Sequence, residues 1–368
     1  MTMLFLLALA LQEPVAQDPK PNPLPATEPV PAPKKKKKKQ QEEELPGATQ
    51  TTPEDHQKGK KKREDYDVRF RVGLEVEYNT NIIRLDDDDL RAFKDGTKPE
   101  KFRISQPEDW IFSPWGEIDI ALPLFGETSR AGLRLTGHFY EANSFASNEA
   151  VMTYLKGKSY ALEYTYEPAI YRREYRDLDT GVFESAFYDD HLVEGTWKVK
   201  VHESVMIRPR AGVEIRDYDA PFTYRSSVAP FIAPRVTLHL LEYLEPFVQY
   251  EFVYNQAFAS GVQPDTSYYQ NGVELGVRSP ILHELEAELK YRIEHRIYTS
   301  NNDPSVDSHA GRKDWRNRLM AGLSWRPAAG LELNASFAQW VVNSTVKDPD
   351  EDSDWDRREF TLGAILAF

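Results

Sequence analysis

The chain has 368 residues, a formal net charge of −13, and aromatic side chains at 12% of its positions. It has no cysteine, which excludes a disulfide framework, a thiolate metal site and a Cys nucleophile. After residue 12 no apolar run approaches the roughly 18 residues that a spanning helix needs. A membrane could then be crossed only by a closed barrel, the other structure that satisfies its own backbone in lipid.

Residues 1–16 read as a secretory signal, with an apolar core from Leu4 to Leu11 but no basic start. Residues 17–65 read as a disordered linker. Pro alternates with small and polar residues from Pro19 to Pro33, and Lys34–Lys39, Glu42–Glu44 and Lys58–Arg63 follow. Such a composition cannot bury enough apolar surface to fold. The segment is expected to be a solvated spacer; a basic arm holding an anionic polymer such as cell wall is the alternative. Residues before Tyr66 hold 12 of the 46 basic and 10 of the 59 acidic residues, so residues 66–368 carry a net charge of −15. Free nucleic acid is therefore a poor ligand on charge grounds.

From Tyr66 onward one unit repeats: an alternating strand, a short turn, a second alternating strand and a longer polar loop. In the first strand Phe70, Val72, Leu74, Val76 and Tyr78 share one face, and Arg69, Arg71, Gly73, Glu75 and Glu77 the other. An acidic loop containing Asp86–Asp89 follows. Strand two spans about 110–124, and Gly126-Glu127-Thr128-Ser129 turns the chain into strand three (about 131–142), which carries Arg134. Strand four (about 149–166) is expected to turn at Glu167-Pro168 into strand five (about 169–177), with Arg172 on its polar face. Strand six (about 183–201) carries Lys198 and Lys200, and strand seven (about 204–218) carries Arg208 and Arg210.

Strand eight (about 224–240) contains Pro230 and Pro234, which predict an irregularity. Strands nine (about 245–258) and ten (about 267–280) precede a strong case at about 284–299. There Leu285, Ala287, Leu289, Tyr291 and Ile293 oppose Glu286, Glu288, Lys290, Arg292 and Glu294. These residues are good helix formers, but strict alternation over twelve positions selects a strand. Strand twelve (about 312–326) carries Arg316 and Arg318, and strand thirteen spans about 331–344. The last strand places Phe360, Leu362, Ala364, Leu366 and Phe368 on one face, against Glu359, Thr361 and Gly363.

The total is about fourteen strands (12–16). The fold class is all-β, an antiparallel up-and-down transmembrane barrel over residues 66–368. An even count puts both ends on one side, and short turns alternating with longer loops are the barrel's expected asymmetry. Trp110, Trp315 and Trp355 near loop ends, with Trp197 and Trp325 near turn ends, suggest two interfacial girdles.

The amphipathic last strand, ending on Phe368, resembles the final strand of bacterial outer-membrane β-barrels. Signal, spacer and strand ladder together resemble fourteen-stranded monomeric porin-like barrels, and Gly73–Ile82 is similar to first strands of uncharacterised outer-membrane barrels. The resemblance implies residence in the outer membrane, with the N-terminal arm in the periplasm. It also implies partners among outer-membrane lipids, lipopolysaccharide and the barrel-assembly machinery, the last reading Phe360, Leu366 and Phe368 as an assembly signal. No cofactor is implied.

On this reading the polar face lines a lumen. Glu75, Glu77, Arg134, Arg172, Lys198, Lys200, Arg208, Arg210, Glu286, Glu288, Lys290, Arg292, Arg316 and Arg318 are its candidate lining residues. Mixed charge suits a hydrated bore, since isolated buried charges are costly. The expected function is a porin-like channel for passive diffusion of small polar or charged solutes. An anchoring or adhesin barrel with a salt-bridged, closed lumen is the alternative. An outer-membrane enzyme would need a relay such as Asp307-Ser308-His309, or one built on His283 or on His191 beside Asp189 and Asp190; none has motif context. The acidic stretches Asp86–Asp89 and Asp348–Asp356 are expected to be solvated loop acids rather than a calcium site.

Overall fold

The computed structural model describes residues 67–368 apart from 240–242, 261–262, 283, 306 and 347–353. The predicted signal and linker, and His283, lie outside the described residues. Fourteen strands form in chain order. They are β1 (Val68–Asn79), β2 (Asp109–Leu124), β3 (Glu127–Tyr140), β4 (Asn148–Lys156), β5 (Tyr160–Arg176), and β6 (Phe183–Trp197, continuing as Val199–His202). β7 (Val205–Arg208 and Arg210–Tyr218), β8 (Ser227–Ile232 and Arg235–Leu238), β9 (Glu245–Ala257) and β10 (Tyr268–Leu282) follow. β11 (Leu285–Tyr298), β12 (Lys313–Ala328), β13 (Leu331–Ser344) and β14 (Trp355–Ala367) complete the set.

Each strand pairs antiparallel with the next, and β14 returns to β1, with Leu74 opposite Ala364 and Tyr78 opposite Phe360. The sheet therefore closes and has no free edge. β8 breaks between Ile232 and Arg235, at Pro234, as its prolines predict. The β2–β3 hairpin turns on Phe125-Gly126, both with positive φ (52° and 77°). That is the backbone of a tight type I′ turn, whose twist matches the flanking strands.

One hairpin differs from its sequence reading. β4 ends at Lys156 and the chain turns at 157–159, so Glu167-Pro168 lies inside β5. There the pairing with β6 shifts register twice, between Glu167 and Ile170 and between Tyr171 and Arg173. Proline cannot donate to the ladder, and a bulge absorbs the loss without ending the strand.

The two faces of the closed sheet are chemically opposite. Phe70, Leu135, Leu289 and Leu362 on the convex side are all half exposed or more, whereas Arg296, Glu294 and Arg318 on the concave side are buried. Curvature crowds inward side chains together and spreads outward ones apart. Aromatic rings on the concave side lie over glycines of the next strand, such as Trp115 over Gly73 and Tyr154 over Gly132, where a Cβ would collide with the ring. Trp110 and Trp315 at the loop end, and Trp197 and Trp325 at the turn end, are exposed as the girdles require. Trp355 is not part of a girdle: it is buried against Trp340 and Val342, because its register places it on the inner face.

Candidate functional site

The concave wall is the chemically dense surface, and period-2 alternation is what charges it. On β1–β3, Arg71 pairs with Glu117, Arg69 Nε lies 3.3 Å from Asp119, and Arg134 Nε lies 3.4 Å from Glu117. Tyr154 donates its hydroxyl to Glu117 at 2.5 Å, and Arg134 stacks on Trp115 at 3.6 Å. On β6–β7, Arg210 pairs with Glu194 at 2.5 Å. On β8–β12, Arg235 reaches Glu274 at 3.2 Å, Arg278 reaches Glu286 at 2.9 Å, and Lys290 reaches Glu288 at 2.8 Å. Arg292 pairs with both Glu251 and Glu294, and Arg357 reaches Glu359 at 2.6 Å. Each of these pairs lies within one strand or joins a strand to its neighbour or next neighbour, so the pairs run around the wall and brace it.

Cross-strand register arranges part of this wall into one row. Arg208 lies opposite Arg235, then Gln249, Glu274, Arg292, Arg318, Trp340 and Arg357 follow, one residue per strand from β7 to β14. Barrel strands tilt by about 35–45° from the axis, so a row perpendicular to the strands climbs it. This row starts near the turn end at Arg208 and finishes near the loop end at Arg357. Five of its eight members are arginines.

The candidate residues fall as follows. Glu75 and Glu77 sit on β1 beside β14, Glu75 opposite Gly363, and Glu77 accepts a hydrogen bond from Asn79 at 3.0 Å. Arg134 joins the Glu117 cluster. Lys198 separates the two pieces of β6, and Lys200 is exposed near the following turn. Glu286, Glu288, Lys290, Arg292, Arg316 and Arg318 come together on β11 and β12. Arg172 sits at the second register shift of β5, outside the regular alternation. Phe360, Leu366 and Phe368 are exposed on the outside of the seam.

The loop from 80 to 108 holds contacts that alternation did not reveal. It contains helix α1 (Asp87–Lys94), N-capped by the Asp86 side chain, which accepts from the Asp89 N–H at 2.8 Å. Asp89 is not the solvated acid expected from its neighbours. It is buried, with Lys101 Nζ at 2.7 Å and Arg173 Nη2 at 2.9 Å. Ile83, Leu85 and Ile104 pack with Ala146 and Tyr171 beneath it. At one end Asn81 donates to the Asp356 carbonyl at 3.1 Å; at the other Arg103 donates to Ser185 at 2.7 Å. The loop thus lies over the short β3–β4 connection, between β14 and the taller β5–β6 hairpin.

Two of the candidate relays fall among the described residues. His191 stacks on Tyr166, with centroids 4.7 Å apart, and pairs with the Tyr164 hydroxyl at 2.9 Å. Asp307 and His309 do meet, at 2.9 Å, but it is Ser300, not Ser308, that donates to Asp307, at 2.5 Å. Asn302 Nδ2 and the Asp265 N–H also donate to Asp307, at 3.0 and 2.9 Å, so this carboxylate ties two loops together. Among the described residues no cluster of three metal-ligating side chains occurs.

Burial works to raise the Asp307 pKa, but the His309 hydrogen bond and charge, the Ser300 hydroxyl and the Asp265 N–H outweigh it and hold it below the usual range. A depressed folded pKa gives stability that is complete above the unfolded value, about 3.9, and is lost as pH falls through the folded value. Asp307→Asn is expected to loosen these loops at neutral pH by about 2 kcal/mol. Hydrogen exchange at residues 299–312 should differ most between variant and parent at pH 7, and the difference should shrink progressively as pH falls below about 3.9 toward the depressed folded value. Equal protection at pH 7 would sink the assignment.

No family model and no curated protein matches the chain. Solved structures do match. The outer membrane channel DcaP of Acinetobacter baumannii is 12% identical, with 82% of this chain and 97% of that one covered, at a TM-score of 0.43. The anion-selective porin from Comamonas acidovorans is 10% identical, with 82% and 99% covered, at 0.40. OmpT, an outer membrane protein of Vibrio cholerae, is 7% identical, with 82% and 99% covered, at 0.43. In fold, the chain is similar to outer-membrane porin-like barrels.

Proposed function

We propose that this chain is an outer-membrane channel that passes small polar or charged solutes by passive diffusion. The observation that carries this reading is the inner wall itself: a continuous charged surface whose ion pairs run along the wall. Barrels of about eight strands fill with side chains, and those of sixteen leave a water channel; fourteen lies nearer the second case. The apolar convex face supports a lipid surround, since an exposed band of that extent would aggregate in water. In this reading the turns face the periplasm with the N-terminal arm, the loops face outward, and lipopolysaccharide and phospholipid cover the convex face. The exposed Phe360, Leu366 and Phe368 then serve assembly, and the Lys-rich arm is free to contact the cell wall.

The purified full chain in a planar bilayer is expected to give stepwise conductance. Silence at several voltages from protein shown to be folded would overturn the channel and favour the anchoring barrel with a closed lumen.

A further inference from the structure

The convex face is not evenly filled. In one outward row Leu323 of β12, Ala335 of β13 and Leu362 of β14 lie opposite one another; in the next outward row toward the turns stand Trp325 and Leu333. Leu323, Trp325 and Leu362 are exposed and stand up from the sheet, while the methyl group of Ala335 between them does not reach as far. A groove of about 740 Å³ results, and Leu282 and Glu284 beside the β10–β11 turn border it. One outward step beyond Ala335, Phe337 and Phe360 pack with ring centroids 4.9 Å apart and fill the face again. The groove therefore begins at the turn end, beside the girdle residue Trp325, and stops short of the middle of the barrel.

Apolarity alone does not favour one lipid over another here, because lipid tails are as apolar as leucine. Concavity does. A chain lying between two leucines and Trp325 makes contacts on several sides that a smooth face cannot offer, and an unfilled furrow forfeits them. The turn end adds a charge. Among the described residues Glu284 is the one charged residue bordering the groove; it is exposed and forms no ion pair. Arg326, whose N–H donates to the Glu284 carbonyl at 2.9 Å, turns its guanidinium to Glu332 at 3.1 Å instead. A carboxylate left open at the membrane–water boundary attracts an ammonium group and repels an anionic one.

We infer that this groove is a site for one resident phospholipid of the periplasmic leaflet: an acyl chain fills the furrow, and an amine in the head group pairs with Glu284. The inference rests on the reading that lipid covers the convex face with the turns toward the periplasm.

For the test, the full chain is reconstituted into vesicles of equimolar phosphatidylethanolamine and phosphatidylglycerol, re-extracted in mild detergent and weighed by native mass spectrometry. The parent is expected to keep a single phosphatidylethanolamine in preference to phosphatidylglycerol. Ala335→Phe, which fills the furrow, is expected to keep at least about tenfold less lipid. Glu284→Gln should still keep a lipid but lose the preference between head groups. Both variants are first shown to retain the heat-modifiable mobility of a folded barrel. Equal retention by the parent and Ala335→Phe would overturn the proposal, as would equal retention of the two lipids by the parent. A parent that leaves the vesicles as a dimer, with Ala335→Phe monomeric, would overturn it in favour of a second copy of the chain in the groove. A chain that does not enter vesicles would overturn the lipid surround and the site together; one that enters them and keeps neither lipid would overturn the site alone.

Discussion

Removing residues 360–368 is expected to abolish the closed barrel. β14 is paired on both sides, with β13 from Trp355 to Leu366 and with β1 from Glu359 to Ala367, and the Phe368 N–H donates to the Phe70 carbonyl at 2.9 Å. Without it, β1 and β13 each expose a row of unpaired backbone groups. In lipid every such group costs several kcal/mol, so an open sheet does not survive. Gel mobility before and after heating reads the outcome: the truncated chain should show no compact band. A compact band would mean that the seam can re-form without β14. Phe368→Asp should act differently. The Phe368 side chain is 76% exposed, so the change should lower the fraction inserted while leaving the conductance of each inserted molecule unchanged.

Asp89→Asn is expected to release the first loop at a cost of about 3–5 kcal/mol, the usual result of removing one partner from a buried ion pair. Two cations, Lys101 and Arg173, would lose the carboxylate between them while buried at 1% exposure each. Limited proteolysis should then cut within residues 84–104 at low protease, and single-channel records should become noisier if this loop borders the conducting path. Asp88→Asn is the control. Its side chain is exposed and pairs with Arg91 on the same helix face, and exposed pairs contribute little. Equal protease resistance of Asp89→Asn and the parent would show that the apolar contacts of Ile83, Leu85 and Ile104 hold the loop by themselves.

The strand ladder was readable from local chemistry because a barrel strand must present unlike faces to unlike surroundings. Phe70 to Tyr78 and Leu285 to Ile293 declare their faces every second residue, and the pairing of β1 with β14 follows once the number of strands is even. Where alternation breaks, reading it fails. Tyr160, Leu162, Tyr164 and Tyr166 alternate correctly, yet nothing in them says that the hairpin turns before Tyr160 and that Pro168 is bridged by a bulge. Trp355 looked like a girdle residue from its place beside a loop, and only its register with Val342 turns it inward.

The residues of the candidate site were legible one at a time, but their assembly was not. Arg208, Arg292 and Arg318 lie as many as 110 positions apart, and their alignment in one row depends on the register of five successive strand pairs and the tilt that closure imposes. Periodicity states which face a side chain takes, not which residue lies beside it on the next strand. The same reason hid Trp340 beneath Arg318 and Arg173 beside Asp89. The sequence by itself determined a closed, two-faced barrel with a charged interior. Tertiary structure decided which charges neutralise one another, because ion pairing depends on distances of a few ångströms that only strand register sets.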